Sequence, residues 1–278
     1  MRTITTVAEM TAAREAASGA VGLVPTMGFL HEGHLSLVRA ARSECESVVV
    51  RIFVNPAQFG PGEDLARYPR DEERDLALLR DEGVDIVFMP PSEEIYPPGF
   101  DDWVEVTGPI AERLEGEHRP GHFRGVATVV ARLSRVVRPD RAYFGEKDAQ
   151  QLRLIRRMTL ELALPVEIIG LPIIREPDGL AMSSRNVYLT PDDRTRALSL
   201  SRALAEAEAA FRGGERDAAA IREAARRTLD AAGAEIDYVS VADEGTLEDL
   251  AAIDRPALLL IAARVGETRL IDNTLLIP

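Results

Sequence analysis

Between residues 21 and 169 the chain alternates short apolar runs with longer stretches of helical periodicity. The runs at 21–25, 48–54, 86–89, 142–144 and 166–169 read as buried strands of a parallel sheet. Leu35, Val38 and Ala41/Arg42 follow the first run at helical spacing, and Leu76, Leu78 and Leu79 follow the second. Val126, Val129/Val130, Leu133 and Val137 precede the fourth run, and Leu152, Ile155 and Leu160 follow it. This alternation predicts an α/β, Rossmann-like, doubly wound parallel sheet, in which ligands bind beyond the carboxyl ends of the strands.

The last hundred residues or so have a different pattern. Residues 173–179 read as a strand closing into a turn, and Thr190-Pro191 supplies an N-cap followed by proline at the first helical position. Two alanine-rich helices follow, at 191–211, with Leu200, Leu204, Ala207 and Phe211 on one face, and at 216–231, separated by Gly213-Gly214. Strands at 236–241, 258–263 and 269–273 complete a smaller α+β unit. The expected division is a Rossmann-like domain, 1–173, and a C-terminal domain, 174–278, facing one another across a cleft.

Composition narrows the function. The chain is 46% hydrophobic and 28% charged, values typical of a globular protein with a proper core. The opening residues lack a signal-peptide core, and no uncharged run is long enough to span a bilayer, so a cytoplasmic protein is expected. A net charge of −13 argues against nucleic acid and anionic membranes as partners. An anionic small substrate would need a local cationic pocket. The single cysteine, Cys45, is expected inside a helix as a buried, inert thiol.

There are thirty-two arginines and one lysine, Lys147, in Tyr143-Phe-Gly-Glu-Lys-Asp148 between a predicted strand and a helix. Lysine offers a compact point charge, suited to reaching between phosphate oxygens, where arginine offers a broad planar fork. The four histidines form two pairs, His31/His34 and His118/His122. The first pair lies in Val24-Pro-Thr-Met-Gly-Phe-Leu-His-Glu-Gly-His34, where a strand ends and a helix starts at about Gly33. Free N–H groups and the helix dipole make that junction a natural phosphate site, and Gly33 leaves room for a flat ring against the backbone. Zinc is the lesser reading. It would need a third ligand from His118, His122 or a carboxylate, and the helical i, i+4 histidine spacing is absent.

Gly179-Leu-Ala-Met-Ser-Ser-Arg-Asn186 reads as a flexible loop whose Ser183, Ser184 and Arg185 form a phosphate-gripping set. Asn55 and Gln58 stand at the end of the second predicted strand, and Gln151 lies one helical turn beyond Lys147. Such amides suit a substrate bearing hydroxyl and carboxylate groups, because they both donate and accept.

Together, Pro25-Thr-Met-Gly-x-x-His-x-Gly-His34, Phe53-Val-Asn-Pro-x-Gln-Phe59, Phe144-Gly-Glu-Lys-Asp148 with Gln150-Gln151, and Met182-Ser-Ser-Arg-Asn186 closely resemble the pantothenate synthetase (pantoate–β-alanine ligase) family, of the HIGH-type nucleotidyltransferase superfamily. The resemblance implies condensation of (R)-pantoate with β-alanine, driven by ATP with Mg²⁺, through a pantoyl-adenylate. By carry-over, Met27, Gly28, Phe29, Leu30, His31, Glu32, Gly33 and His34 contact ATP, with His34 as proton donor. Gly145, Glu146, Lys147 and Asp148, then Ile174, Met182, Ser183, Ser184 and Arg185 do the same. Gln58 and Gln151 hold pantoate, Gln58 also nears β-alanine, and no side chain is implied as a resident metal site. His31, His34, Lys147, Ser183, Ser184 and Arg185 would stabilise charge on the reacting phosphate. Ala149 stands where the family usually has an aromatic residue, which predicts looser packing beside the site.

A homodimer is implied as well, and the C-terminal domain is expected to act as a lid. Two other readings remain: a plain nucleotidyltransferase acting on a phosphorylated acceptor, and a non-catalytic nucleotide-binding module. The role of His118 and His122 stays open.

Overall fold

The computed structural model describes residues 1–278. The strands β1 (Arg2–Ile4), β2 (Val21–Thr26), β3 (Ser47–Ile52), β4 (Ile86–Phe88), β5 (Arg141–Gly145) and β6 (Glu167–Leu171) form one sheet in the order β1-β4-β3-β2-β5-β6. Every pairing in it is parallel. The chain leaves β2 for β3 on one side and returns to β5 on the other, so the sheet reverses direction between β2 and β5. A crevice opens beyond the carboxyl ends of those two strands, the position where doubly wound sheets bind ligands.

Helices α1 (Val7–Ala16), α2 (Glu32–Glu44) and α3 (Glu72–Asp81) belong to the first half of this sheet. Short helices α4 (Ser92–Ile95), α5 (Pro109–Glu112) and α6 (Glu115–His118) lead into α7 (His122–Val137), and α8 (Ala149–Glu161) links β5 to β6. Leu37, Val38 and Ala41 of α2 join Val24, Val48 and Val50 in the core on one sheet face. Val126, Val129 and Leu133 of α7 join Leu23, Val49 and Phe88 on the other.

After β6 come α9 (Pro191–Arg212) and α10 (Ala218–Ala231), then the antiparallel sheet β7 (Glu235–Asp243), β8 (Ala257–Val265) and β9 (Thr268–Leu276). Thr190 caps α9 by accepting from Asp193 N, with Pro191 in the first turn as expected. Leu200, Leu204, Ala207 and Phe211 pack on Val241, Leu259 and Ile261 of the new sheet. Its opposite side contributes Ala242, Leu258 and Leu260 to the core beneath the parallel sheet. The C-terminal layer is therefore seated on the first one by apolar contact, not only by polar groups at the cleft.

Three local readings need correction. Leu160 is 81% exposed, because the buried stripe of α8 runs through Leu152, Leu154, Ile155 and Met158, and Leu160 falls outside it. Residues 173–179 make no strand. Pro172 and Pro177 remove donors there, and only the isolated bridge Arg175–Ala181 closes the hairpin. Cys45 is buried as expected but caps the end of α2 rather than lying within it, with Sγ 3.4 Å from the Tyr143 hydroxyl.

Candidate active site

Beyond β2 the chain makes a tight turn in which Gly28 and Phe29 take φ of 84° and 49°. Asp75, buried on α3, fixes it by accepting from Phe29 N at 2.6 Å and Leu30 N at 2.8 Å. The turn delivers His31 as the N-cap of α2 and His34 into its first turn. The His31 N–H donates to His34 Nδ1 at 3.3 Å, and the two rings lie 4.0 Å apart. An Nδ1 that accepts leaves the proton of neutral His34 on Nε2, available to a ligand oxygen. Burial, with His31 and Lys147 nearby, holds His34 well below the ordinary histidine range. Burial and Lys147 likewise bring His31 down to about 4. Both imidazoles are neutral donors at pH 7.

Gly33 does leave room for a flat ring, but the ring is that of His31: a Cβ on Gly33 would stand 2.9 Å from His31 Nδ1. Across the crevice, the turn Glu146–Asp148 follows β5 and carries Lys147. Asn273 of β9 donates from Nδ2 to Glu146 O and Lys147 O, both at 3.0 Å. Lys147 lines the cleft close enough for its charge to act on His31 and His34, Asp148 is the sole lining carboxylate, and Arg51, Arg119 and Arg185 add positive charge. A chain of net charge −13 thus holds a cationic cleft.

The loop at 182–186 closes the third side. Met182 N donates to Ile174 O at 2.9 Å, and Asn186 Nδ2 donates to Glu176 Oε1 at 2.7 Å and to Ala181 O at 3.1 Å. Ser184 Oγ donates to Phe29 O at 3.2 Å, joining the loop to the histidine turn. Arg185 grips Asp64 with Nε and Nη2 at 2.8 and 2.9 Å. Its guanidinium lines the cleft while already paired, so a phosphate reaching it would share it with a carboxylate.

Gln58 sits in a short helical turn, Pro56–Gln58. Asn55, fully buried, donates to Gln58 Oε1 at 3.1 Å and to Gly125 O at 3.2 Å, while accepting from the Tyr96 hydroxyl at 2.7 Å. Both ends of that amide are occupied within the protein, so Asn55 orients Gln58 and does not itself face the cleft. His122 closes the same corner. Its Nδ1 lies 2.9 Å from Gln58 O and its Nε2 lies 3.1 Å from Arg119 Nη1. A carbonyl only accepts and a guanidinium only donates, so the neutral ring carries its proton on Nδ1. Burial and the Arg119 charge bring His122 down to about 4. His118 lies elsewhere, its ring 5.7 Å from that of Tyr238.

Of the expected positions, Met27, His31, Gly33, His34, Gln58, Gly145, Lys147, Asp148, Gln151, Ile174, Met182, Ser183, Ser184 and Arg185 line one cleft. Gly28, Phe29, Leu30, Glu32 and Glu146 do not. Asp75 uses the Phe29 and Leu30 N–H groups, the Leu30 side chain is buried in the core, and Glu32 pairs with Arg39 on the surface. The 146–148 turn presents its lysine and aspartate to the cleft and not Glu146. Arg51, Tyr68, Arg119 and His122 also line the cleft; the sequence singles out neither Arg51 nor Tyr68, and it leaves open the role of the cationic segment 117–124 that carries Arg119 and His122. A charge at 51 inside an apolar strand run was the one signal that could have found the first of them.

A doubly wound sheet whose switch point holds two neutral imidazoles, a free ammonium and a serine–arginine loop defines an enzyme of the nucleotide-binding α/β class. Similarity to known proteins specifies it further. Residues 1–275 match the family model for pantoate–β-alanine ligase. The pantothenate synthetase of Roseiflexus castenholzii is 61% identical over 277 residues, 99% of each chain. The crystal structure of pantothenate synthetase from Thermus thermophilus superposes with a TM-score of 0.96 at 52% identity, covering 100% of both chains. That of a pantoate–β-alanine ligase from Francisella tularensis, complexed with beta-gamma ATP and β-alanine, gives 0.85 at 34% identity, covering 99% of this chain and 97% of that one. The chain belongs to the pantoate–β-alanine ligase family.

Proposed function

We propose that the protein condenses (R)-pantoate with β-alanine at the expense of ATP, giving pantothenate, AMP and pyrophosphate. The observation that supports this reading is the gathering, in one cleft, of phosphate-seeking donors (His34, His31, Lys147) and substrate-orienting amides (Gln58, Gln151). The pantoate carboxylate attacks the α-phosphorus, a P–O bond forms, and pyrophosphate leaves. Negative charge grows on phosphate oxygens in that step. His34 Nε2–H, the His31 ring, Lys147, Ser183, Ser184 and Arg185 are assigned to it, each charge-assisted hydrogen bond being worth roughly 1.5–3 kcal/mol. The neutral amine of β-alanine then attacks the acyl carbon and AMP departs with the carboxylate oxygen. Gln58 and Gln151 hold the acid, and Gln58 stands near the incoming amine.

Magnesium is assigned to the phosphates. Asp148, the sole carboxylate on the lining, fits an ion that keeps most of its ligands from phosphate and water. Bound there, it would supply further neutralisation of phosphate charge. The mixed anhydride must be shielded from water. The 182–186 loop, bridging residue Phe29 and Asp64, is assigned to that shielding, with 174–278 as the lid domain and 1–173 as the binding domain. A homodimer in the cytoplasm belongs to the same reading; no helix is long and apolar enough to cross a membrane.

The experiment is pantothenate formation from ATP, pantoate and β-alanine with excess magnesium, for wild type and His34→Ala. Product from wild type and a large loss in the variant is expected. No product from wild type sinks the reading, and ATP–pyrophosphate exchange that requires a phosphorylated acceptor instead of pantoate points to the plain nucleotidyltransferase.

A further inference from the structure

Arg51 is the one cleft arginine with no counter-charge. It is 3% exposed, and its Nε and Nη2 have no partner in the protein. Nη1 reaches Thr26 O at 3.4 Å, and the guanidinium lies 4.5 Å over the Phe53 ring. The two unpaired nitrogens form one edge of the fork, the same edge that Arg185 turns on Asp64. Burial pushes the Arg51 guanidinium down to about 9, as expected of a charge with no carboxylate opposite it. A buried donor left unmade is costly, so something other than the protein is expected to meet this edge.

Its place in the sheet says what. Arg51 stands in β3 between Pro25 of β2 and Phe88 of β4 in register, and Phe53 follows it on the same face. That face carries the core under α7, and Pro25, Arg51, Val126, Val129 and Val130 all line the cleft. In the proposed reaction the acid's carboxylate meets the phosphate site at His34 and Lys147, and the apolar floor of the same cleft is the surface left for its other end. Pantoate carries there a quaternary carbon with its methyl groups and a terminal hydroxyl. The valines suit the methyls. Arginine can only donate, so its fork takes oxygen lone pairs, and a hydroxyl oxygen has a pair for each of the two nitrogens.

We infer that Arg51 is a binding and specificity-determining residue, whose Nε–Nη2 edge takes the terminal hydroxyl oxygen of the hydroxy acid at the apolar floor of the cleft. The inference rests on the proposed reaction, and it says why an acid of the same shape without that hydroxyl is a poor substrate. Such an acid leaves the buried fork unpaired, and sites built to bond a substrate hydroxyl reject the analogue lacking it far more strongly than an apolar pocket rejects a missing methyl.

The test is acid-dependent ATP–pyrophosphate exchange with pantoate and with 2-hydroxy-3,3-dimethylbutanoate, its analogue without the terminal hydroxyl. In wild type kcat/KM should fall on the order of 10²-fold or more for the analogue. In Arg51→Met the KM for pantoate should rise at least about ten-fold, that for ATP should stay within about two-fold, and the gap between the two acids should nearly close. The wild-type arm needs no variant. Equal use of both acids by wild type would mean that water serves the fork, and would overturn the inference while leaving the proposed reaction intact. A rise in KM confined to β-alanine would assign the fork to the amine substrate's carboxylate and overturn it as well. Exchange with neither acid would remove the underlying reaction, and this inference with it.

Discussion

Asn273 and Lys147 are 126 residues apart in sequence, yet the Asn273 amide donates to the Lys147 carbonyl at 3.0 Å and to that of Glu146 at the same distance. The last strand of the C-terminal sheet thereby fixes the turn that presents the only lysine of the chain. Asn273→Ala should lower the rate of adenylate formation about ten-fold or more, since small misplacements of a reacting group are expensive. The KM for pantoate should change little. Single-turnover measurement of pyrophosphate release checks this, and an unchanged rate would show that the turn holds its shape unaided.

Lys147→Arg keeps the charge and should keep the fold, because no protein group depends on the ammonium. A planar fork cannot sit where a point charge bridges phosphate oxygens. Loss of adenylate formation on the order of 10²-fold is expected. Exchange activity near that of wild type would show that charge alone suffices.

Acid should act on this protein through neutral histidines. His31 and His122 are brought down to about 4 and His34 lies well below its ordinary value, so each binds its proton more readily once the chain unfolds. Their contribution to stability is fully present above pH about 6.5 and is lost as pH falls through the folded values. Urea unfolding between pH 7 and 4 should therefore show falling stability, with a shallower decline in His122→Gln. An equal slope in that variant would remove His122 from the account. The acid limb of exchange activity should also lie below 6.5, because the working imidazoles are already neutral there.

Gly125 allows α7 to touch the Gln58 turn: a Cβ on it would stand 2.2 Å from Ala57 O. Gly125→Ala must push that turn away. A loss of about 1–3 kcal/mol in stability and a raised KM for pantoate are expected together. Denaturant melts and steady-state kinetics on the same preparation test the pair, and normal kinetics in a destabilised variant would separate packing from orientation.

Amide exchange reports on closure. The 182–186 loop is tied to Phe29 by Ser184 and to Asp64 by Arg185, and these ties should tighten when ATP and pantoate fill the cleft between them. Exchange at 181–186 should slow with both ligands bound. Protection identical to that of the free protein would rule out a shielding role for the loop.

Much of this is legible in the sequence because it is local. The apolar runs that form β2 to β6, the caps of α9, and the placing of His31, His34 and Lys147 at strand ends all follow from periodicity and position. β1 leaves no such trace because three residues cannot express a period. Asp75 looks like any helix-surface carboxylate, since nothing nearby in sequence reveals that it caps a turn 45 residues upstream. Asn55 reads as facing substrate, but its chemistry is spent on Gln58, Gly125 and Tyr96, a contact set that only the fold assembles. Asn273 has no local pattern at all.

The cleft ammonium also gives the experimenter a handle. Apart from the amino group at Met1, Lys147 carries the only primary amine in the chain. An amine-selective reagent would thus read out the nucleotide site almost alone, and the fraction labelled, followed against added ATP, becomes a direct titration of occupancy without any engineered tag.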